Sequence, residues 1–382
     1  MASMRATAAR GIRFAVAAAV AGALVGCSAG APTPPGAPTP PGAPTPPGAP
    51  TAADGGPAPQ SMPALGEPAD LATGLDAPWS VAFLADGTAL VSERDTGRIL
   101  ELTETGEARE VGVIAGIRTD SEAGLLGLAV DEGDRLYVYS TAAAGNRIQR
   151  FVLRGDPGAL ALGSPETILD GIPAASFHDG GRIAFGPDGM LYATTGDAGD
   201  RPASQDLGSL AGKILRMTPD GDVPADNPFD GSLVHSYGHR NVQGIAWADD
   251  GTMFASEFGQ NTWDELNVIE PGGNYGWPDV EGTGGDAFID PVQQWNPDEA
   301  SPSGIAIVGD TLYLANLRGQ VLRAVPVADP TRHEDLFAGE YGRLRDAVAA
   351  PDGSLWVLTN NTDGRGSPRD GDDRILRIDV RG

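Results

Sequence analysis

The chain has 382 residues, with 52 acidic against 26 basic side chains and a formal net charge of −26 at pH 7. A surface with this charge repels nucleic acid and anionic membrane faces, so no polyanionic partner is expected. Glycine (54 residues) and proline (32 residues) are abundant and the apolar runs are short. No long stretch keeps a 3.6-residue period, which predicts a nearly all-β chain with little helix.

The first 26 residues have the pattern of an export signal. Arginines precede an apolar segment, 14–25, that is too short to span a bilayer as a permanent helix. The segment ends in Leu-Val-Gly-Cys at Cys27, which resembles the lipobox of bacterial lipoproteins, in which the cysteine becomes the lipidated first residue. We therefore expect residues 1–26 to be a signal peptide, with the mature protein anchored by Cys27 to the outer face of the cytoplasmic membrane. The alternative is an ordinary secreted protein with an incidental cysteine.

Residues 27–68 are predicted to form a linker. Residues 31–50 are essentially three copies of Ala-Pro-Thr-Pro-Pro-Gly, and a Gly/Pro/Ala-rich stretch follows. Proline at this density favours an extended polyproline II conformation of about 3.1 Å per residue, so a stalk is predicted. The alternative is a ligand for a proline-recognition domain, although nothing flanks the repeat to specify a reader.

Six pairs of apolar segments follow, each separated by a short turn with a glycine next to an acid. The turn glycines or their neighbours lie near positions 87, 133, 189, 251, 309 and 353. Asp-Gly and Gly-Asp supply the positive φ angles that tight turns need, so each copy predicts a β-hairpin. The spacing averages roughly fifty residues, the size of a propeller blade. We predict that residues 69–382 form one domain, an all-β, six-bladed propeller with four short strands per blade.

The hairpins also predict where polar residues meet. Residues that lead into the first strand and residues that leave the second lie side by side, at the end opposite the turn. If the first strand of each hairpin lines the central channel, these positions surround one mouth of it and form the candidate site. They include Glu93, Glu122, His178, Asp197, Arg240, Asn241, Gln243, Glu257, Asn316, Arg318, Arg343 and Arg345.

Two successive hairpins hold the residues best suited to catalysis. His178 precedes one first strand and Asp197 leaves its partner strand, so an imidazole meets a carboxylate, the usual way to orient a general base. In the next hairpin, Arg240, Asn241 and Gln243 can bind several oxygens of a planar ligand. The alternative for these side chains is structural hydrogen bonding in loops that close the blades.

Arginines near the last two hairpins indicate an anionic ligand. Arg318 leaves one hairpin, and Arg343 and Arg345 alternate along an extended segment, so their side chains point the same way. Two like charges side by side cost energy unless an anion lies between them. The alternative is surface salt bridges to Asp346 or other acids. In so acidic a chain, converging arginines predict a small anionic ligand.

These segments, in this order, resemble the soluble quinoprotein sugar dehydrogenases, a family of glucose, aldose sugar and sorbosone dehydrogenases that use pyrroloquinoline quinone (PQQ). The resemblance covers about residues 74–380. Its strongest motifs are the stretches 178–197 and 212–228, Gly-His-Arg-Asn-Val-Gln-Gly at 238–244, Asn-Tyr-Gly-Trp-Pro at 274–278 and Arg-Leu-Arg-Asp at 343–346. It implies an enzyme that oxidises an aldose sugar at the anomeric carbon to its lactone, by hydride transfer to PQQ, with Ca²⁺ as a second cofactor. The sugar and the electron acceptor are not specified.

The resemblance also implies roles for individual residues. His178 would take the proton from the anomeric hydroxyl, Asp197 would orient His178, and Arg240 would polarise the quinone oxygen that gains negative charge. The residues that would contact the cofactor are Glu122, Arg240, Asn241, Gln243, Arg318, Arg343 and Arg345. The three later arginines would hold its carboxylates, although the family commonly has lysine at position 318. Main-chain carbonyls of Gly259 and Gln260 would bind the calcium ion.

Three further residues depart from the family pattern. Glu122 stands where the best-known glucose enzymes carry glutamine, Phe258 replaces an amide, and Gln260 replaces a proline. Glu122 adds a negative charge near an anionic cofactor, which would weaken quinone affinity or alter the substrate. Two other functions stay open. One is a non-catalytic extracellular binding propeller that has lost the cofactor, and the other is a calcium-dependent lactonase with Glu93, Glu122 and Glu257 as ligands.

Overall fold

The computed structural model of the protein describes residues 62–103 and 105–381. The signal peptide, Cys27 and most of the predicted linker lie outside this part of the chain. Regular structure within it is almost entirely β, apart from a short 3₁₀ helix at Arg201–Ser204, and no helix there is long and apolar enough to cross a membrane. In chain order, the strands are β1 (Ala64–Leu65), β2 (Ala69–Ala72), β3 (Pro78–Phe83), β4 (Ala89–Glu93), β5 (Arg98–Leu102), β6 (Ala108–Val113), β7 (Leu125–Val130), β8 (Arg135–Ala142), β9 (Gly145–Arg154), β10 (Ala161–Ile172), β11 (Ile183–Phe185), β12 (Leu191–Thr195), β13 (Lys213–Met217), β14 (Val234–Tyr237), β15 (Val242–Trp247), β16 (Met253–Glu257), β17 (Asp264–Ile269), β18 (Gln293–Trp295), β19 (Pro302–Val308), β20 (Thr311–Asn316), β21 (Val321–Pro326), β22 (Glu334–Leu336), β23 (Leu344–Ala349), β24 (Leu355–Thr359), β25 (Ile375–Ile378) and β26 (Val380–Arg381).

Six four-stranded antiparallel sheets form the six blades of a propeller. Blades 1 to 5 are β3–β6, β7–β10, β11–β14, β15–β18 and β19–β22, and blade 6 is β23-β24-β25-β2. In blades 1 to 5 the strands follow one another in space as in sequence, whereas in blade 6 the N-terminal β2 lies beyond β25. At the centre, the first strand of each blade contacts the first strand of a neighbouring blade. The predicted six-bladed propeller, with the first strand of each hairpin along the central channel, is confirmed.

The N-terminal strand closes the ring. β2 pairs with β25, with Ala69 opposite Arg377, so the two ends of the chain share blade 6. β1 pairs with β26, with Ala64 opposite Arg381. Within the described residues, the first strand therefore begins at Ala64, inside the segment predicted as a linker to residue 68. The composition of that segment gave no sign of it, because a two-residue strand depends on its distant partner.

The hairpin turns follow the predicted chemistry with one difference. Five turn glycines adopt positive φ, namely Gly87, Gly189, Gly251, Gly309 and Gly353. In blade 2 the residue with positive φ is Asp134 (54°) rather than Gly133. The Asp131 carboxylate accepts the backbone N–H groups of Gly133 and Arg135, both at 3.0 Å, and so stabilises this turn from its own side chain.

Apolar side chains fill the spaces between adjacent blades. These apolar clusters contain fully buried aromatic residues. Examples are Tyr137 between blades 2 and 3, Phe254 between blades 4 and 5, and Tyr313 between blades 5 and 6. Burying one such side chain contributes roughly 1.5–3 kcal/mol, so the blades form a stiff frame. That frame holds the loops at the channel mouth in fixed positions.

Candidate active site

His178 and Asp197 meet across the first hairpin of blade 3, as predicted. His178 Nδ1 lies 2.7 Å from Asp197 Oδ1. Two glycines with positive φ, Gly180 (63°) and Gly181 (99°), turn the chain from His178 into β11. His178 itself has a φ of 58°, an unusual value for a residue with a side chain, and its N–H donates to Glu122 Oε2 at 3.0 Å.

Asp197 is fixed by three donors. Its Oδ1 also accepts the Gly199 N–H at 2.8 Å, and its Oδ2 accepts the indole N–H of Trp277 at 2.9 Å. Burial acts to raise the pKa of Asp197, but the hydrogen bonds from His178, Gly199 and Trp277 outweigh it and lower the pKa below its usual 3.8. Asp197 is therefore ionised at neutral pH, and it holds the proton of a neutral His178 on Nδ1.

The other ring nitrogen of His178 is available to a ligand. The His178 side chain is 17% exposed, whereas that of Asp197 is 1% exposed. No group in the described part of the chain hydrogen-bonds to His178 Nε2. With Nδ1 protonated, Nε2 carries the lone pair, so the pair can accept a proton from a bound hydroxyl.

Arg240 lies beside this pair. Its guanidinium is 5.5 Å from the centre of the Trp277 ring, and its backbone carbonyl accepts the Asp197 N–H at 2.8 Å. Nη1 donates to the Phe258 carbonyl at 3.0 Å, while Nε is buried and has no hydrogen-bond partner in the part of the chain that the structure describes. Burial lowers the pKa of Arg240, opposed by attraction to Asp197 and other acids. Arg240 thus offers unused donors and positive charge next to the base.

Asn241 and Gln243 have structural hydrogen bonds as well as free capacity. Asn241 Oδ1 accepts the Gly180 N–H at 3.0 Å, and its Nδ2 is buried without a partner within residues 62–103 and 105–381. Gln243 Oε1 accepts from Arg345 Nη1 at 2.8 Å and from Ser303 Oγ at 3.2 Å. These two amides therefore tie blades 3 to 6 together around the channel, which composition alone could not show.

A cavity of about 260 Å³ opens at the same mouth of the channel. Gln243, Trp79 and Phe258 line part of it. Its charged lining residues are Arg94, Glu122, Arg318, Arg343, Arg345 and Arg365. Five arginines against one glutamate make this a positively charged site in a strongly acidic protein. The predicted convergence of Glu122, Gln243, Arg318, Arg343 and Arg345 is thus present in the structure.

Four of these arginines have a carboxylate partner. Arg343 pairs with Asp363 at 3.3 Å and Arg94 with Asp95 at 2.6 Å, and Arg365 lies 3.6 Å from Glu122. The remaining pair joins Arg318 to Asp298.

Arg345 is the exception within the described residues. It is 3% exposed, and it donates to neutral groups only: Gln243, Ser303 and Asn360. Burial, reinforced by the nearby Arg94, lowers its pKa to about 9. A buried guanidinium without a counter-ion, on the wall of an open cavity, is a strong binding determinant for an anion.

The base and the cavity are joined by two residues. Glu122 lines the cavity and accepts a hydrogen bond from the backbone N–H of His178. Phe258 also lines the cavity, and its backbone carbonyl accepts a hydrogen bond from Arg240. His178, Asp197 and Arg240 are themselves next to the cavity rather than in its lining. The arrangement is a cationic binding chamber with a proton acceptor at one side.

Three residues predicted at the mouth have structural roles instead. Glu93 binds Arg98 at 2.6 Å, Glu257 binds His239 at 2.8 Å, and Asn316 donates to backbone carbonyls of its own hairpin. The prediction rested on each residue lying at a strand end, which does not show that its side chain has a partner nearby. The lactonase ligand set Glu93, Glu122 and Glu257 therefore does not converge, and no group of three or more metal-ligating side chains occurs in the described ranges.

Arg318 contributes at the rim only. Its side chain is 60% exposed and its ion pair with Asp298 is equally open to solvent. A screened pair of this kind is worth about 0–1 kcal/mol, so Arg318 binds an anion less strongly than a buried arginine would.

The loop predicted to bind calcium is held by acids. The Gly259 N–H donates to Asp264 Oδ1 at 2.8 Å, and the Gln260 N–H donates to Glu281 Oε1 at 2.8 Å. Glu281 Oε1 also accepts the next three N–H groups, up to Trp263 at 3.0 Å. Burial raises the pKa of Asp264 to about 6. The loop backbone is thus fixed in a negatively charged environment, which suits a hard cation.

Four site residues were not predicted. Trp79 begins the first hairpin and Arg94 follows β4 directly, so the rule that selected the other positions should have found both. Arg365 and Trp277 come from the loops after β24 and β17, where no periodic pattern marks them. Only the resemblance of the Asn-Tyr-Gly-Trp-Pro motif drew attention to the segment containing Trp277.

The chain is similar in sequence and in structure to known sugar dehydrogenases. The family model for glucose/sorbosone dehydrogenase matches residues 75–376. The PQQ-bound aldose sugar dehydrogenase of Streptomyces coelicolor is 50% identical, with a TM-score of 0.81, and the match covers 85% of this chain and all of that one. Aldose sugar dehydrogenase YliI of Escherichia coli is 28% identical over 76% of this chain and 89% of its own length. Quinoprotein glucose dehydrogenase B of Acinetobacter calcoaceticus is 34% identical over 54% of this chain and 51% of its own length. The family predicted from the motifs is confirmed: the chain belongs to the glucose/sorbosone dehydrogenase family.

Proposed function

We propose that this protein is a PQQ- and Ca²⁺-dependent dehydrogenase that oxidises an aldose sugar at the anomeric carbon to its lactone. The observation that carries the proposal is Arg345, a buried arginine without a carboxylate partner in the described residues, in a cavity beside the His178–Asp197 pair. PQQ is a planar tricarboxylate, which matches a cavity lined by five arginines. The PQQ-bound relative from Streptomyces coelicolor supports the choice of cofactor.

Unpartnered donors also fit this cofactor. Arg240 Nε, Asn241 Nδ2 and Arg343 Nε are all buried without a hydrogen-bond partner among the described residues. A buried donor left unsatisfied costs about 1–3 kcal/mol, so three of them in one region are explained best by a ligand rich in acceptors. All three belong to residues that the family resemblance assigned to the cofactor.

The chain's own residues would divide the reaction as follows. His178 Nε2 accepts the proton of the anomeric hydroxyl, and the ionised Asp197 stabilises the imidazolium that forms. PQQ, when bound, supplies the quinone that accepts the hydride from the anomeric carbon. Arg240 stabilises negative charge on the ligand oxygen nearest to it, and Trp277 holds both Arg240 and Asp197 in place.

The calcium ion and the location are part of the same proposal. Main-chain carbonyls at Gly259 and Gln260 are hard oxygen donors, and Asp264 and Glu281 make their loop electronegative. Export and lipid anchoring through Cys27, on the outer side of the cytoplasmic membrane, rest on the signal sequence alone.

The test is to titrate the purified protein with PQQ, with and without Ca²⁺, and to measure dye reduction with a panel of aldoses. We expect saturable PQQ binding, dye reduction that depends on an aldose, and a lactone product. Arg345→Gln should weaken PQQ binding by about thirtyfold, since a buried charge partner is lost. Arg377→Gln, an exposed arginine of blade 6 outside the cavity, is the matched control and should bind as the wild type does.

Two outcomes would contradict the proposal. If the protein binds no PQQ at concentrations that should saturate the site, PQQ is not its cofactor. Binding of PQQ without turnover of any aldose would favour the non-catalytic binding propeller instead.

A further inference from the structure

Glu122 is the one acidic residue among the described residues that line the cavity, and it lies between the base and an arginine from another blade. Its Oε2 accepts the His178 N–H at 3.0 Å, while its Oε1 is 3.6 Å from Arg365 Nη2. Arg365 Nη2 also donates to Ser121 Oγ at 2.8 Å. Two adjacent residues that precede blade 2 thus contact a single guanidinium, which also lines the cavity.

The structure holds Arg365 in this position. It belongs to the loop between β24 and β25 of blade 6, and its N–H donates to Asp363 Oδ1 at 2.9 Å. Asp363 Oδ2 in turn accepts from Arg343 Nη2 at 3.3 Å, and the Asp363 side chain is fully buried. The same buried carboxylate therefore fixes one cavity arginine directly and places a second through its backbone.

The charges around Glu122 explain why such an arginine is needed. A carboxylate in a site for an anion repels the ligand, and a partly buried carboxylate without a partner is costly in itself. A glutamine at this position would accept the same N–H without adding a charge. The cavity has instead a glutamate together with a guanidinium from blade 6, 3.6 Å away.

We propose that Glu122 and Arg365 form a charge-compensated pair. Glu122 is a positioning residue that fixes the backbone of His178 at its positive φ, and Arg365 cancels the carboxylate charge so that the cavity keeps its affinity for an anionic cofactor. This inference rests on the proposed function, since it concerns the same PQQ site.

The first experiment measures PQQ affinity of the full-length protein by equilibrium dialysis with Ca²⁺ present. Arg365→Gln leaves the carboxylate uncompensated and should weaken binding by about fivefold, whereas Glu122→Gln leaves the guanidinium and should strengthen binding by about the same factor. The double variant should bind within about twofold of the wild type. All differences should shrink as salt is added, because the pair is partly exposed.

Arg369→Gln is the matched control. Arg369 lies in the same loop, is exposed, and donates to the carbonyls of Gly339 and Glu340 without lining the cavity. It removes the same charge, so PQQ affinity should stay within about twofold of the wild type. An equal loss in Arg369→Gln and Arg365→Gln would show a long-range effect of net charge rather than a pair.

The second experiment tests the positioning role at saturating PQQ and aldose. Glu122→Ala removes the acceptor of the His178 N–H and should lower kcat by about tenfold with little change in KM. Glu122→Gln keeps the acceptor and should restore kcat to within about twofold of the wild type. Equal kcat in the alanine and glutamine variants would overturn the positioning role.

The results separate this inference from the proposed function. If the wild type binds PQQ but both single charge variants weaken binding, and the double variant does not recover, the residues are merely structural and the pair is rejected. Unchanged affinity in both single variants would reject it as well. If the wild type binds no PQQ at all, the proposed function fails and the pair fails with it.

Discussion

Two histidine–carboxylate pairs occupy equivalent places in adjacent blades. In blade 3, His178 precedes the first strand and Asp197 follows the second, with 2.7 Å between Nδ1 and Oδ1. In blade 4, His239 precedes β15 and Glu257 ends β16, with 2.8 Å between Nδ1 and Oε2. The hairpin geometry is the same and the residue types are nearly so, yet only the first pair is suited to catalysis.

The second ring nitrogen makes the difference. His239 Nε2 is bound to Ser236 Oγ at 2.8 Å, and the ring is fully buried and stacked on Tyr275 at 4.7 Å. Glu257 uses its other oxygen to hold the backbone N–H of Arg240. The blade 4 pair therefore supports the arginine beside the base, while the blade 3 pair keeps one nitrogen free. An accessible lone pair, rather than the paired residue types, identifies the candidate base.

The largest expected effect is on His178. His178→Asn keeps a residue that tolerates positive φ but removes the base, so kcat should fall by about a thousandfold. PQQ affinity should stay within about twofold of the wild type, since His178 is beside the cavity rather than in its lining. Dye-linked turnover and equilibrium dialysis measure the two quantities. If this variant turns over as fast as the wild type, His178 is not the base, and the blade 3 pair has no catalytic role that the blade 4 pair lacks.

Asp197→Asn should lower kcat by about a hundredfold, because an amide cannot stabilise an imidazolium as a carboxylate does. It should also change how stability depends on pH. The folded pKa of Asp197 is below its usual 3.8, so its stabilising contribution is present above that value and is lost as the pH falls through the folded pKa. The variant should show a smaller loss of Tm on acidification than the wild type. If Tm falls with pH in the same way in both proteins, Asp197 is not ionised in the folded protein.

Trp277→Phe should have a smaller effect, lowering kcat by about fivefold. It removes the indole N–H that donates to Asp197 while keeping an aromatic ring near Arg240, and one such hydrogen bond is worth about 1 kcal/mol. Steady-state kinetics at saturating PQQ would measure it. A decrease as large as that of Asp197→Asn would mean that Trp277 also contacts the substrate.

His239→Gln should have the smallest effect on turnover, within about threefold of the wild type, but it should lower the free energy of unfolding by about 2 kcal/mol. Glu257 and Ser236 both lose a buried partner in this variant. Denaturant unfolding and kcat, measured on the same preparation, test whether His239 affects stability without affecting turnover. Loss of turnover without loss of stability would show that His239 acts in the reaction itself.

Local chemistry explains which features the sequence could predict. Turns with Gly beside an acid are formed by adjacent residues, so the six hairpins were predictable, and the hairpin geometry then placed His178 against Asp197. Trp277 reaches Asp197 from 80 residues away, through a loop with no periodic pattern. The sequence motif marked the segment but not this contact. Glu93 and Asn316 were predicted at the channel mouth, but their side chains bond within their own blade. The position of a residue at a strand end does not show which partner its side chain will have.

The closure of blade 6 has a consequence for handling this protein. β2 is the outermost strand of the blade whose innermost strand begins beside Arg343 and carries Arg345. Proteolytic trimming past Ala72 would leave the backbone of β25 without its neighbour, and an exposed strand edge is a template for aggregation. A shortened preparation would therefore self-associate, and the damage would begin in the blade that supplies three of the five cavity arginines.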